Sequence, residues 1–249
     1  MRLILDRAAN GTWNMAVDEA LLELAGPASP LTLRLYQWSP ATLSLGYFQN
    51  HAERELHDAS GRLTWLRRPS GGGAIVHDRD WTYSLIVPIQ HRLARDHRQL
   101  YTIVHGVLIE LFAKLGIHAT LVESQQAATC AEQNRGSEPF LCFARRATGD
   151  VIVGPHKVAG SAQRKRHSAI LQHGSLLLAA SPAAPELLGL IEAAGVPLPD
   201  VAMTDDFPRR LAARFEESIT LSPLTDAERE MAGRIEMSQF MVPSWNEKR

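Results

Sequence analysis

The sequence holds only two cysteines, Cys130 and Cys142. Two thiols cannot build a disulfide framework or a four-thiolate zinc site, so both are expected to be free, as in a cytosolic protein. Charge of one sign is not in excess either: 26 Lys and Arg stand against 27 Asp and Glu. A chain that coats nucleic acid or an anionic membrane needs a large basic surplus, which leaves room only for a local basic patch. Long apolar runs are missing. No window approaches the roughly 18 consecutive apolar residues of a membrane span, and Arg2, Asp6 and Arg7 interrupt any apolar stretch at the start. Ten histidines occur without HExxH, HxH or CxxC spacing, so no metal site is specified. The length of 249 residues suffices to bury a full core in one large domain.

What is there reads as a mixture of periods. Residues 12–25 place Val17, Ala20, Leu21 and Leu24 at helical spacing, with Thr12 or Asn14 as the cap. From Leu31 the period changes to two, and strands are expected at 31–36, 42–48, 63–68 and 82–89. The polar stretch 49–62 has room for a helical turn. Residues 99–115 give the clearest helical stripe, stopped by Gly116. Further strands are expected at 117–123, 150–153, 157–163 and 168–178, with 124–139 as a loop and the basic turn 164–167 as a solvated hairpin tip or a landing site for an acidic partner. Beyond Ser181, helical spacing recurs at 185–194, 206–218 and 224–240. Grouped strands with few intervening helices predict an α+β fold of mixed and antiparallel sheets flanked by helices. The expected division is a catalytic domain over 1–180 and a helical extension over 181–249 packed on it.

Two constellations carry chemistry. The first is RRPSGGGAIVHD, residues 67–78. Three consecutive glycines let another molecule approach the backbone N–H groups closely. Arg68, Ser70, Gly71, Gly72, Gly73, Ala74 and His77 would surround an apolar slot, although glycines alone also fit a plain hairpin connection. The second is Cys142 with Lys157. A free thiol is a weak nucleophile near its reference pKa of about 8.5, and a nearby ammonium favours the thiolate. The turn at Gly154-Pro155 can bring the two side chains together; a buried small hydrophobe and a solvated lysine are the plainer alternatives. Gly160, Ser161 and Ala162 are small enough to leave room for a ligand chain, and Gln172 and His173 on the next strand can reach the same slot.

These motifs resemble the lipoate–protein ligase A and octanoyltransferase group of the biotin/lipoate ligase fold. The resemblance runs through NMAVDEALL, PATLSLGYFQN, RRPSGGGAIVHD with TYSLIVP, HKVAGSAQRKRHSAILQHGSLLL and the terminal SWNEKR. The Gly/Arg-rich element of biotin ligases is not found. The Cys142-Phe143 pair stands where the cysteine/lysine octanoyltransferases carry theirs, and Lys157 matches their lysine. Two departures stand out. Transferases often have an arginine where Gly73 stands, the triple glycine being familiar from ATP-dependent ligases, and ARRATG at 144–149 differs from the aromatic-containing stretch of the transferases.

The resemblance implies an acyltransferase in protein lipoylation. Cys142 would take octanoyl, or lipoyl, from acyl carrier protein as a thioester, and a lysine of a lipoyl domain would receive it. Acceptors would be the acyltransferase components of 2-oxoacid dehydrogenases and the glycine cleavage H protein. Lys157 would favour the thiolate and relay protons, and N–H groups around 71–73 or near 160 would stabilise the oxyanion. This chemistry needs no cofactor, and a cytoplasmic monomer is expected. The alternatives are an ATP- and Mg-dependent lipoate ligase, an amidotransferase between lipoyl-domain proteins, and a non-catalytic acyl-binding protein. Length and the short tail speak against a two-domain ligase.

Overall fold

The computed structural model describes residues 1–133 and 138–249. Its frame is an eight-stranded mixed sheet in the order β11-β1-β2-β6-β10-β9-β8-β7. In chain order the strands are β1 (Arg2–Leu5), β2 (Thr32–Tyr36), β3 (Thr42–Leu45), β4 (Thr64–Arg67), β5 (Ile75–His77), β6 (Asp80–Pro88), β7 (Ala119–Leu121), β8 (Val151–Val153), β9 (His156–Lys165), β10 (Ala169–Leu177) and β11 (Thr220–Leu221). In this sheet pairing is parallel along β11-β1-β2 and antiparallel between the other neighbours, whereas β3 pairs with β4 in parallel and with β5 antiparallel. A second sheet, β4-β3-β5, lies apart from it. The helices are α1 (Gly11–Leu24), α2 (Asp58–Gly61), α3 (His97–Lys114), α4 (Ser124–Gln133), α5 (Leu190–Ala194), α6 (Phe207–Phe215), α7 (Asp226–Ile235) and α8 (Pro243–Asn246).

The period of two sorts the central strands into two faces. Leu33 and Leu35 of β2, Tyr83, Leu85 and Val87 of β6 and Ile170 of β10 share one apolar cluster with Val104, Leu108, Leu111 and Phe112 of α3. Each such buried side chain contributes roughly 1.5–3 kcal/mol relative to exposure. The opposite face carries Arg34, Ser84, His173 and Ser175, all buried, under α1. Both faces of a central strand being covered, those polar groups must find partners. They do, around the site described below.

The segment beyond 181 supplies parts of both layers. Phe207, Leu211 and Phe215 enter the α3 cluster. Ala232 and Phe240, from α7 and its π-helical continuation, cover α1. Strand β11, absent from the sequence reading, pairs with the equally unexpected β1.

Several boundaries differ from expectation. Asn10, not Thr12 or Asn14, caps α1, its side chain accepting from the Trp13 amide; Asn14 lies inside the helix and is buried. The loop expected at 124–139 is helical over α4, and residues 134–137 of it lie outside the described residues. Helix over 185–194 is confined to α5, because Ser181 and Ala184 form a bridge and Leu187 closes a turn on Ala184.

Candidate functional site

A cavity of about 340 Å³ opens between the polar face of the large sheet and the loop joining β4 to β5. Arg68, Gly71, Gly72, His77, Cys142, Lys157, Gly160, Ser161, Ala162 and His173 all line it. Ser70, Gly73 and Ala74 stand behind the wall, and each supports a lining residue. Alternation explains part of this: Ile75 faces the cavity, whereas Ala74 and Val76 point into a third apolar cluster with Leu43, Leu45 and Leu141.

The glycine-rich loop is shaped by Arg68. Its buried guanidinium donates to the carbonyls of Gly71 and Gly73, both at 2.7 Å, and to Ser44 O at 2.9 Å. With two carbonyls turned inward, the amides of Gly71, Gly72 and Gly73 donate to no protein acceptor among the described residues. Burial pushes the pKa of the Arg68 guanidinium down to about 10. Gly72 has φ of +93°, where L side chains are strained. Gly46 passes so close that a Cβ there would lie 1.8 Å from Gly72 O.

Cys142 opens a 3₁₀ turn, Cys142–Ala144, stitched to this loop by two backbone bonds: Ala74 N to Phe140 O at 3.0 Å and Cys142 N to Ala74 O at 2.7 Å. Gly73 is where the turn presses hardest, since a Cβ would sit 2.8 Å from Arg145 Nε and 3.0 Å from Cys142 Cα. The two departures from the transferase pattern, at Gly73 and at 144–149, therefore meet in space. Arg145 occupies the room that a side chain at 73 would need, held by Pro139 O at 2.5 Å and Glu138 at 2.7 Å.

The β8–β9 hairpin brings Lys157 to the turn. Its Nζ lies 3.8 Å from Cys142 Sγ, 3.5 Å from Cys142 O and 2.7 Å from Asp150 Oδ2. Lys157 and Asp150 are both almost fully buried, so their attraction is little screened by solvent. Asp150 also accepts from Ala147 N at 2.7 Å. Gly160 makes room for the lysine, because a Cβ there would come within 2.7 Å of Lys157 Cε.

Two histidine chains complete the walls. His77, stacked on Trp38 with ring centroids 3.8 Å apart, joins Asp80 at 2.9 Å and Ser44 at 3.0 Å. Burial depresses its pKa, with Asp80 opposing. His173 meets Ser70 Oγ at 2.5 Å and Asp18 at 3.4 Å. Ser161 is held by Tyr83 and His105, both at 2.6 Å. His105 Nδ1 faces the Gly149 carbonyl at 2.6 Å, which can only accept, so Nδ1 carries the proton and Nε2 of the neutral ring accepts from Ser161. Burial lowers its pKa and favours that neutral form.

Asp150, His105, Trp38 and Asp18 escaped the sequence reading. Asp150 had one usable signal: a carboxylate just before the hairpin whose return strand carries Lys157. Gln172 does not line the cavity; it donates to Tyr83 OH at 3.0 Å on the other face. Cys130 sits on α4 with Arg146 near its sulfur at 3.9 Å, away from the cavity lining. Residues 165–167 of the basic turn are exposed, as expected of a solvated hairpin tip, while Arg164 and Arg166 both bind Glu19 of α1, at 3.1 and 2.6 Å. Among the described residues, no group of three or more His, Cys, Asp or Glu is arranged to hold a metal ion. No helix among them is long and apolar enough to cross a membrane.

Residues 10–189 match the lipoyl protein ligase A/B catalytic domain, and the chain belongs to that family. It is 32% identical over 275 positions to octanoyltransferase LipM of Brevibacillus brevis, covering 100% of this chain and 99% of that protein. Identity to octanoyltransferase LipM of Bacillus subtilis is 36% over 183 positions, 71% of this chain and 65% of that one. The fold matches a lipoic acid-bound putative lipoate protein ligase from T. acidophilum with a TM-score of 0.79 at 21% identity, covering 100% and 99% of the two chains. It also matches lipoate-protein ligase A bound with ATP, TM-score 0.78 at 21% identity over 99% and 98%.

Proposed function

We propose that this protein is an octanoyltransferase of protein lipoylation working through a thioester on Cys142. The observation that carries the reading is the Cys142 sulfur facing the Lys157 ammonium at 3.8 Å on the wall of the slot. An adjacent cation favours the thiolate, the nucleophilic form of the thiol. That sulfur attacks the carbonyl carbon of an octanoyl thioester on acyl carrier protein. The C–S bond to the carrier breaks, and the carrier thiolate leaves and takes up a proton. One thioester replaces another, so the step is near balance and needs no ATP. The free amides of Gly71, Gly72 and Gly73 are the candidates for holding the oxyanion. A neutral lysine amine of a lipoyl domain then attacks the acyl-enzyme, forming an amide and releasing the Cys142 thiolate. Lys157, left neutral after giving its proton to the departing carrier thiolate, takes the amine proton as the amide forms, and Asp150 holds the regenerated ammonium in place.

Lipoyl-domain proteins, namely the 2-oxoacid dehydrogenase acyltransferase components and the glycine cleavage H protein, are the proposed acceptors. One observation favours a second reading, an ATP-dependent lipoate ligase: the glycine at position 73. The test supplies a lipoyl domain with either octanoyl-acyl carrier protein or free acid plus ATP and Mg. Product from the carrier thioester alone, lost in Cys142→Ala, is expected. Product only from free acid plus ATP, insensitive to Cys142→Ala, would establish the ligase instead.

A further inference from the structure

The segment 245–249 is tied to the body of the domain. Trp245 Nε1 donates to Arg67 O at 2.8 Å. Asn246 receives the Arg67 amide at 2.9 Å and the Arg67 Nε at 3.0 Å. The same Arg67 grips the carbonyls of Gly46 at 2.9 Å and Gln49 at 2.7 Å, so strap and segment 46–49 are fixed as one unit. Arg249 O accepts from the His51 amide at 3.0 Å.

The strap carries two cations to one spot. Lys248 Nζ lies 3.5 Å from the ring centroids of both Tyr47 and Trp245, and Arg249 lies 5.2 Å from that of Phe48. Among the described residues no carboxylate pairs with either cation. Phe48 is 70% exposed. This lip is continuous with the site: a Cβ at Gly71 would touch the Phe48 ring at 3.7 Å, and one at Gly72 would lie 3.8 Å from Cys142 Sγ.

We propose that the lip formed by Phe48, Lys248 and Arg249 docks the acidic carrier domain that delivers the acyl thioester. The inference rests on the octanoyltransferase reading and adds where its donor binds. Charge complementarity selects the donor. An acyl carrier domain presents acidic side chains and a phosphate on its flexible arm, whereas the acceptor must bring a lysine ammonium, which two unpaired cations repel. The exposed ring supplies the apolar contact such interfaces use.

The test is the double substitution Lys248→Glu/Arg249→Glu, assayed by acylation of Cys142. With octanoyl-acyl carrier protein, kcat/KM should fall about tenfold or more, mainly in KM, with a weaker salt dependence. With octanoyl-pantetheine, which lacks both carrier and phosphate, the rate should stay at the wild-type value. Transfer from preformed acyl-enzyme to a lipoyl domain, whose lysine ammonium the wild-type cations repel, should be as fast as in the wild type or faster. Unaltered carrier kinetics, an equal loss with octanoyl-pantetheine, or a loss confined to the transfer step would each overturn the proposal. Failure of the underlying reading looks different: the wild type would then take no acyl group on Cys142 from either donor.

Discussion

Two buried ion pairs flank the cavity, and they are built to opposite ends. Asp18 and Arg34 are joined at 2.7 Å, with further bonds from Tyr36 OH to Asp18 at 2.9 Å, Ser84 Oγ to Asp18 at 2.5 Å, Arg34 to Asp6 at 2.7 Å and Arg34 to Asn14 Oδ1 at 3.0 Å. Burial alone would raise the Asp18 pKa, but the His173 hydrogen bond and the Arg34 charge hold it below the ordinary value. Such a pair is saturated and points at nothing reactive. Lys157 and Asp150 are equally close at 2.7 Å, yet the ammonium's other hydrogen-bond acceptors are the Cys142 carbonyl at 3.5 Å and sulfur at 3.8 Å, both long for hydrogen bonds, with the Phe143 ring 5.3 Å away. The looser pair keeps a donor directed at the thiol and the open slot. Burial of charge therefore does not mark the site; unspent hydrogen-bonding capacity does.

The contrast can be broken from either side. Cys142→Ala is expected to lower carrier-dependent transfer by roughly 10⁴-fold, since a lost nucleophile removes the covalent route, with thermal stability close to wild type as the control. Asp18→Ala should act the other way. Arg34 keeps Asp6 and Asn14, but it loses one of its two carboxylates and the buried Tyr36 and Ser84 hydroxyls lose their shared acceptor, a cost of about 1–3 kcal/mol, read by denaturant unfolding, while Cys142 in the folded fraction still acylates. Asp150→Asn sits between the two. It frees Lys157 from its carboxylate, and a fall in turnover of roughly 10²-fold, within the range for a misplaced acid–base group, is expected in single-turnover assays.

The smallest effect concerns pH. Burial holds the folded-state pKa of His77 and His105 below the ordinary 6.5. As pH falls below that value, the unfolded chain binds these protons before the folded chain does, so stability should decline there and be fully present above it. Unfolding midpoints measured across that window in wild type and His105→Gln should show a shallower slope in the variant.

Much of the site was legible because its residues are local in sequence. Three glycines between two strands specify a loop with exposed amides, and Cys142 and Lys157 are separated by one hairpin. The expected α+β mixture and the period-two strands also hold. What the sequence hid is non-local. Strand β1 is four residues long and is secured only by parallel partners 30 and 218 positions away, Thr32 and Thr220 opposite Arg2. Helix α4 is polar enough to resemble a loop. Asp150 looks like a turn residue until Lys157 folds back over it. Nothing local to the basic turn 164–167 announced Glu19, and Lys248 and Arg249 gained their setting through partners far back in the chain, Arg67 holding Trp245 and Asn246 across 178 and 179 positions.

The most direct measurement is intact-protein mass spectrometry after mixing the wild type with octanoyl-acyl carrier protein, without ATP or acceptor, followed by peptide mapping. The expected result is one octanoyl group, on Cys142, discharged when a lipoyl domain is added. Transfer to the lipoyl domain at an undiminished rate with Cys142 unmodified throughout, or replaced by alanine, would contradict it.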